Sequence, residues 1–320
     1  MGASFDRAME SHQVEWRSRH IKTKEWGKQN GRAHAWLLPR PSWPEHLWRD
    51  LRKSGHRNLE QYLREHKIQP HTGVHNLKGS WVLCANLYFP FRSDRDGLNL
   101  LAAFLRQHVS ESIKAVTDIE LEYAEKKPLD PSSLLGEPEG RRGANQTSPD
   151  VAFKIILTNG RSGLVLVESK FTEHSFYECS GRKPKYDNPD RQRCVNRSSF
   201  DDPETFCWLL SWQKNSESRS NRKYWSYIRI RQPSSFVRCP AAISGYQLFR
   251  QQALAEALAE RSEYDLVVSC LAYDDRNIVL IESLARAGLA SLSTVGDNVR
   301  RQGQVRNVHT SKVGLLGANE

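Results

Sequence analysis

The stretch SPDVAFKIILTNGRSGLVLVESK, Ser148 to Lys170, decides how the rest of the chain is read. Val151 to Thr158 is a mostly apolar run, and Asn159-Gly160 followed by Arg161-Ser162-Gly163 supplies a hairpin turn. Leu164 to Val167 is unbroken apolar sequence, as expected of a strand covered on both faces, and its charges arrive only at the end. Successive strand side chains alternate faces, so Glu168 and Lys170 point one way and Ser169 the other. Counting antiparallel pairs outward from the turn brings Asp150 beside Glu168 and Lys170, with the register left open by sequence alone.

Two adjacent carboxylates repel one another, and at the rim of a core they need a cation. A hard divalent ion such as Mg2+ takes oxygen ligands, keeps several waters, and is commonly held by one or two carboxylates together with phosphate oxygens. Pro149-Asp150 followed by Glu168-Ser169-Lys170 resembles the PD-(D/E)XK nuclease superfamily, with its restriction-endonuclease-like core. The resemblance implies an α/β fold, a mixed central sheet flanked by helices, and metal-dependent hydrolysis of phosphodiester bonds by water. Asp150 and Glu168 would bind Mg2+, with Mn2+ able to substitute, and Lys170 would position the attacking water or help deprotonate it.

Charge agrees with such a substrate. The 320 residues carry 47 Lys plus Arg against 37 Asp plus Glu, a net charge of +10 that suits a polyanionic partner. No apolar run reaches the roughly 18 residues of a membrane span, and residues 1–12 lack the apolar core of a signal peptide. A soluble cytoplasmic protein is therefore expected, without a membrane partner. The six cysteines form no C-x-x-C pair, so reduced thiols are expected; Cys179, Cys194, Cys207 and Cys239, with His174, are spaced too loosely to define a structural metal site.

Residues 1–76 are read as a basic, Trp- and His-rich helical module. Ser42-Trp43-Pro44-Glu45 looks like a capping box starting a helix through about Arg52, and Asn58 looks like the start of a second helix with Leu59, Tyr62 and Leu63 on one face. Of Trp16, Trp26, Trp36, Trp43 and Trp48, most are assigned to the core of the module rather than to base stacking. A His-Asn-His nuclease motif at His71 and His75-Asn76 is disfavoured, because that motif needs a hairpin and a helix around the histidines.

Residues 77–290 are assigned to the nuclease-like domain and residues 291–320 to a mobile polar tail. Ser80 to Arg92 reads as a buried helix or strand, Asp96 to Val116 as a helix, and Asp118 to Tyr123 as a half-buried strand with Glu120 and Glu122 on one face. Because the first core strand of the resembled fold lies beside the catalytic hairpin, Glu122 is a candidate fourth member of the site and Glu120 a weaker one. Arg141 and Arg142 lie in a long Gly- and Pro-rich connection and are candidate phosphate contacts.

After Lys170, Glu173 and His174 are placed to support the site. Arg182, Lys183 and Lys185 open a basic, aromatic insertion over about residues 179–240, read as lining a nucleic-acid channel. Tyr246 to Glu260 reads as a helix and Leu266 to Ala272 as a buried strand. The expected partner is nucleic acid, double-stranded DNA in the first instance, with homodimerisation left open. The alternatives are a non-catalytic nucleic-acid-binding protein on a nuclease-like fold, or a nuclease for RNA or branched DNA.

Overall fold

The computed structural model describes residues 4–53, 58–179, 207, 222–228, 239–287 and 312–314. Arg182, Lys183, Lys185 and Cys194, and nearly all of the polar tail, lie outside these residues.

The hairpin forms where the sequence places it. β4 (Val151–Leu157) pairs antiparallel with β5 (Ser162–Lys170), in a register that sets Val151 against Val167. Gly160, at φ 80°, closes the turn with its N–H on the Leu157 carbonyl, and the Asn159 side chain accepts from Arg161 N–H. β3 (Ile113–Leu121) lies antiparallel to β4, and β6 (Leu266–Tyr273) parallel to β5. β7, the three residues Lys312–Gly314, extends the sheet beyond β6, giving the order β3-β4-β5-β6-β7.

The unbroken apolar runs follow from burial on both faces. Leu164 and Leu166 of β5, with Val267 and Leu271 of β6, pack towards α6 (Tyr246–Arg261), the crossover helix that a parallel β5–β6 pair requires. Val165 and Val167, with Val151, Phe153, Ile155, Val268 and Cys270, pack towards the other side. That second layer holds α3 (Ser80–Tyr88) and α4 (Arg95–His108). On α4, Leu101 and Leu105 face the sheet while Leu100 is exposed, and Asp94 caps its start by accepting from Asp96 N–H. The result is a mixed sheet between helical layers, the α/β architecture expected.

Two boundaries differ from the sequence reading. The helix stops at His108, not Val116, because Ser110-Glu111-Ser112 forms a hydroxyl-bonded turn and the β-branched Ile113, Val116 and Thr117 then enter a strand. The helix expected over residues 42–52 is instead two 3-10 turns, Arg40–His46 and Arg49–Arg52. Glu45 does not close a capping box on Ser42: its carboxylate accepts from the N–H groups of Lys22 and Thr23.

Before α3 the chain forms α1 (Phe5–His20), a two-stranded hairpin of β1 (Gly27–Gln29) and β2 (Arg32–His34), and α2 (Leu59–Glu65), capped by Asn58 as expected. Arg17 is the buried residue of α1; its guanidinium donates to the carbonyls of Thr23, Glu25, Ala35 and Leu37. Leu47, Leu51, Leu59, Tyr62 and Leu63 join the same apolar cluster as α3, α4 and the sheet. Of the five tryptophans, Trp16, Trp36 and Trp43 are part-buried, while Trp26 is 56% and Trp48 54% exposed. No helix among the described residues is long and apolar enough to cross a membrane.

Candidate active site

The carboxylates gather where β3, β4 and β5 reach the same end of the sheet. Because Val151 pairs with Val167, Asp150 falls opposite Glu168, and its Oδ2 accepts from the Ser169 N–H at 2.7 Å. Glu168 and Lys170 share a face, as strand alternation requires, and Lys170 Nζ donates to Glu168 Oε1 at 2.6 Å. Both side chains are about one-twentieth exposed. Phe176 lies under the ammonium, its ring centroid 5.6 Å from Nζ.

Glu122 reaches this group by a backbone device that alternation did not anticipate. It sits just past β3 at φ 47°, and its N–H bonds to the Asp150 carbonyl oxygen. A left-handed residue interrupts the period of two. Leu121 packs in the α3–α4 layer and Tyr123 in the opposite one, while Glu122 turns back towards α3, where Trp81 Nε1 donates to its Oε1 at 2.7 Å. Glu120 stays on the other side of the sheet, paired with Arg142 at 3.0 Å and Lys154 at 2.5 Å. The fold therefore separates the two glutamates that the sequence reading placed on one face.

The electrostatics are those of a cluster short of positive charge. Burial, followed by the charge on Glu168, pushes Asp150 up to about 8; the Lys170 ammonium and the Ser169 N–H only partly offset this. Burial and Asp150 raise Glu122 well above the carboxylate range against the pull of the Trp81 indole. Burial works against the Lys170 ammonium, but Glu168, Asp150 and Glu173 outweigh it and hold its pKa above the ordinary lysine value. One ammonium thus serves three carboxylates.

This all-oxygen donor set, strained by its own repulsion, fits a hard divalent cation, with Asp150 and Glu168 as its holders and Glu122 beside them. Each carboxylate is meanwhile engaged by a protein donor: Trp81, the Ser169 backbone or Lys170. Among the described residues no group of three or more His, Cys, Asp or Glu converges closely enough to hold a metal as the side chains stand.

The supporting residues are largely long-range. The Glu173 carboxylate accepts from Ser80 N–H at 2.9 Å and Phe171 N–H at 2.7 Å, tying the exit of β5 to the start of α3. His174 is exposed. Asn277 Nδ2 donates to the carbonyls of Phe171 and Glu173, fixing the chain just past Lys170; nothing local in the sequence marks it. His71 lies at the margin, where partial burial and then the Lys170 charge lower its pKa and its Nδ1 accepts from Gly73 N–H. The segment around His71 and His75 is a run of turns, without the hairpin and helix of a His-Asn-His motif.

Arg142 does not face outward as a phosphate contact would. Its guanidinium donates to the carbonyls of Leu121 at 2.6 Å and Glu122 at 2.9 Å and to Tyr62 Oη, so it braces the left-handed turn that aims Glu122. Gly143, at φ 78°, lets the loop pass there: a Cβ would lie 2.3 Å from the Gln69 carbonyl oxygen. Arg141 is exposed. Just ahead of Pro149-Asp150, buried Glu137 anchors the loop, accepting from Thr147, Tyr224 and Arg250.

No curated protein and no solved structure matches the chain. One family model does, over residues 10–304, nearly the whole length. Its description, restriction endonuclease, is that of a hydrolytic nuclease acting on nucleic acid and agrees with the restriction-endonuclease-like fold. On a match of this extent, the chain belongs to the family described as restriction endonuclease associating with ARP.

Proposed function

We propose that the chain is a Mg2+-dependent deoxyribonuclease that cuts phosphodiester bonds of double-stranded DNA internally by water attack, with Mn2+ able to substitute. The observation that carries this reading is the placement of Asp150, Glu168 and Lys170 together at one end of the sheet, with Glu122 beside Asp150, so that buried carboxylates outnumber the one ammonium among them. Asp150 and Glu168 would hold the divalent ion, whose charge would stabilise the negative charge that develops on the phosphate oxygens and on the leaving oxygen.

The protein's own groups do the rest. Lys170, held protonated by its carboxylate neighbours, is a donor: it aims a lone pair of the attacking water at phosphorus and adds positive charge where the phosphate must enter. Asp150 is oriented by the Ser169 N–H and Glu122 by the Trp81 indole, so both carboxylates are set before substrate arrives. No side chain needs to form a covalent intermediate, because the nucleophile is water. Arg141, exposed on the loop before Asp150, is available to the phosphate backbone, and the basic segment containing Arg182, Lys183 and Lys185 supplies further charge of the right sign.

The test is cleavage of supercoiled plasmid and a linear duplex by wild type and Lys170→Ala, with Mg2+, with Mn2+ and with EDTA. Metal-dependent nicking by wild type, absent in the variant, is the expected result. Cleavage only of RNA or of branched DNA would keep the chemistry and change the substrate. Tight DNA binding with no cleavage of any substrate under either metal would refute the catalytic reading.

A further inference from the structure

Two of the seven tryptophans among the described residues, Trp26 and Trp48, are more than half exposed, and both lie in one segment of the N-terminal region. The neighbouring indoles are accounted for: Trp43 packs edge-on against Trp81 at 6.2 Å, Trp36 lies under the Lys78 ammonium, and Trp16 packs beside Ile21, Leu38 and Leu77. Trp26 and Trp48 are thus the two indoles of this segment that the fold leaves largely uncovered.

Their setting is strongly cationic. Residues 19–53 contain nine Lys or Arg and three Asp or Glu, a surplus of six within a chain whose total surplus is ten. Lys22, Lys28, Arg32, Arg40 and Arg49 are exposed and have no carboxylate partner among the described residues. The carboxylate that would most readily offset them, Glu45, is turned onto the backbone of Lys22 and Thr23, which ties the Trp26 and Trp48 portions of the segment together. The segment is also fastened to α3, the helix whose Trp81 holds Glu122: Trp48 N–H donates to Asn86 Oδ1 at 2.8 Å, and Asn86 Nδ2 donates to the His46 carbonyl at 3.1 Å.

We infer that residues 19–53 form a binding face for an unpaired nucleic-acid strand, with Trp26 and Trp48 stacking on bases while the surrounding lysines and arginines contact phosphates. The proposed function enters only in taking nucleic acid as the partner. Flat aromatic faces among unpaired cations are what a single strand needs, since every base offers a π-face and every linkage a negative charge, whereas a duplex keeps its bases stacked on each other. An anionic membrane surface shares the charge but calls for an amphipathic helix; Trp26 and Trp48 instead flank a three-residue strand and two 3-10 turns.

The test uses the full chain in EDTA, where the proposed chemistry is silent, and fluorescence anisotropy of a labelled single strand of about 20 nucleotides and of the matching duplex. Trp26→Ala/Trp48→Ala is expected to weaken single-strand binding roughly 10- to 100-fold and duplex binding by less than about threefold. Lys28→Gln/Arg32→Gln, which touches no core residue, should lower the slope of log affinity against log salt by about one to one and a half. Unchanged single-strand affinity in the tryptophan variant overturns the inference. So does an equal loss on duplex, a loss of binding to anionic phospholipid vesicles with DNA affinity intact, or conversion of a dimer to a monomer with DNA affinity intact. A wild type that stacks on single strands but never cuts in Mg2+ supports this face while refuting the nuclease proposal, so the two failures are distinguishable.

Discussion

Replacing Lys170 with Met removes the one ammonium in the carboxylate cluster while keeping most of the side-chain volume. The Nζ to Glu168 Oε1 distance is 2.6 Å and both side chains are almost wholly buried, so Glu168 would be left uncompensated rather than returned to water. Breaking such a pair by removing one partner costs about 3–5 kcal/mol. In a chain of this size that lowers the melting temperature by roughly 4–7 °C. The cost depends on pH. Asp150, with its pKa pushed up to about 8, carries a proton in acid, so Lys170 has less negative charge to offset there. The penalty should be largest at about pH 9 and smallest at about pH 6. Urea unfolding in EDTA at both pH values, on Lys170→Met, Glu168→Gln and the double variant, measures it. The double variant should be less destabilised than the sum of the singles by about 1–3 kcal/mol. Additive singles, or a Lys170→Met penalty below about 1 kcal/mol at the higher pH, would refute the shared-cation account of the cluster.

Three further outcomes follow from the same geometry. His46 is buried with Nε2 2.5 Å from the Val74 carbonyl oxygen, and burial lowers its pKa from 6.5 to about 4; its contribution to stability is complete above pH 6.5 and lost as pH falls through about 4, some 3 kcal/mol in all, so His46→Gln should flatten the acid limb of the melting profile. Arg142→Ala should destabilise by about 2–4 kcal/mol in chemical denaturation, because it strips the Leu121 and Glu122 carbonyls of a donor and leaves Glu120 with Lys154 alone, whereas Arg141→Ala should leave stability within about 0.5 kcal/mol and weaken duplex binding only a few-fold. Trp81→Phe should raise the Mg2+ concentration needed for half-maximal cleavage several-fold, since Glu122 loses the N–H that orients it; an unchanged metal requirement would show that Glu122 stands outside the metal-binding group.

What could be read from the sequence was what local patterning controls. The apolar run before Glu168, the Asn-Gly turn and the two-residue spacing of Glu168 and Lys170 mark a hairpin, because apolar runs and turn residues are local signals, while the register they leave open is settled only in the fold, with Val151 against Val167. The α6 crossover and β6 were legible for the same reason. Glu122 was named but its route was not: alternation put it with Glu120, and only the left-handed backbone, braced by Arg142 from 20 residues away, turns it towards Asp150. Partners such as Trp81 and Asn277 lie 41 and more than 100 residues from the groups they hold, a separation at which sequence spacing carries no signal. The N-terminal tryptophans show the limit of composition, which suggests a core for most of the five but does not say which two, Trp26 and Trp48, the fold leaves exposed.

Arg17 bears on how this chain can be cut or grafted. Four carbonyls spread over residues 23–37 converge on its one guanidinium, so the β1–β2 hairpin takes its shape from a side chain of the preceding helix as much as from its own three-residue ladder. Helix and hairpin are in that sense a single part. A truncation starting between residues 18 and 23 would leave the carbonyls that flank the hairpin without their shared donor, and a shortened form that keeps the exposed Trp26 face intact has to keep α1 with it.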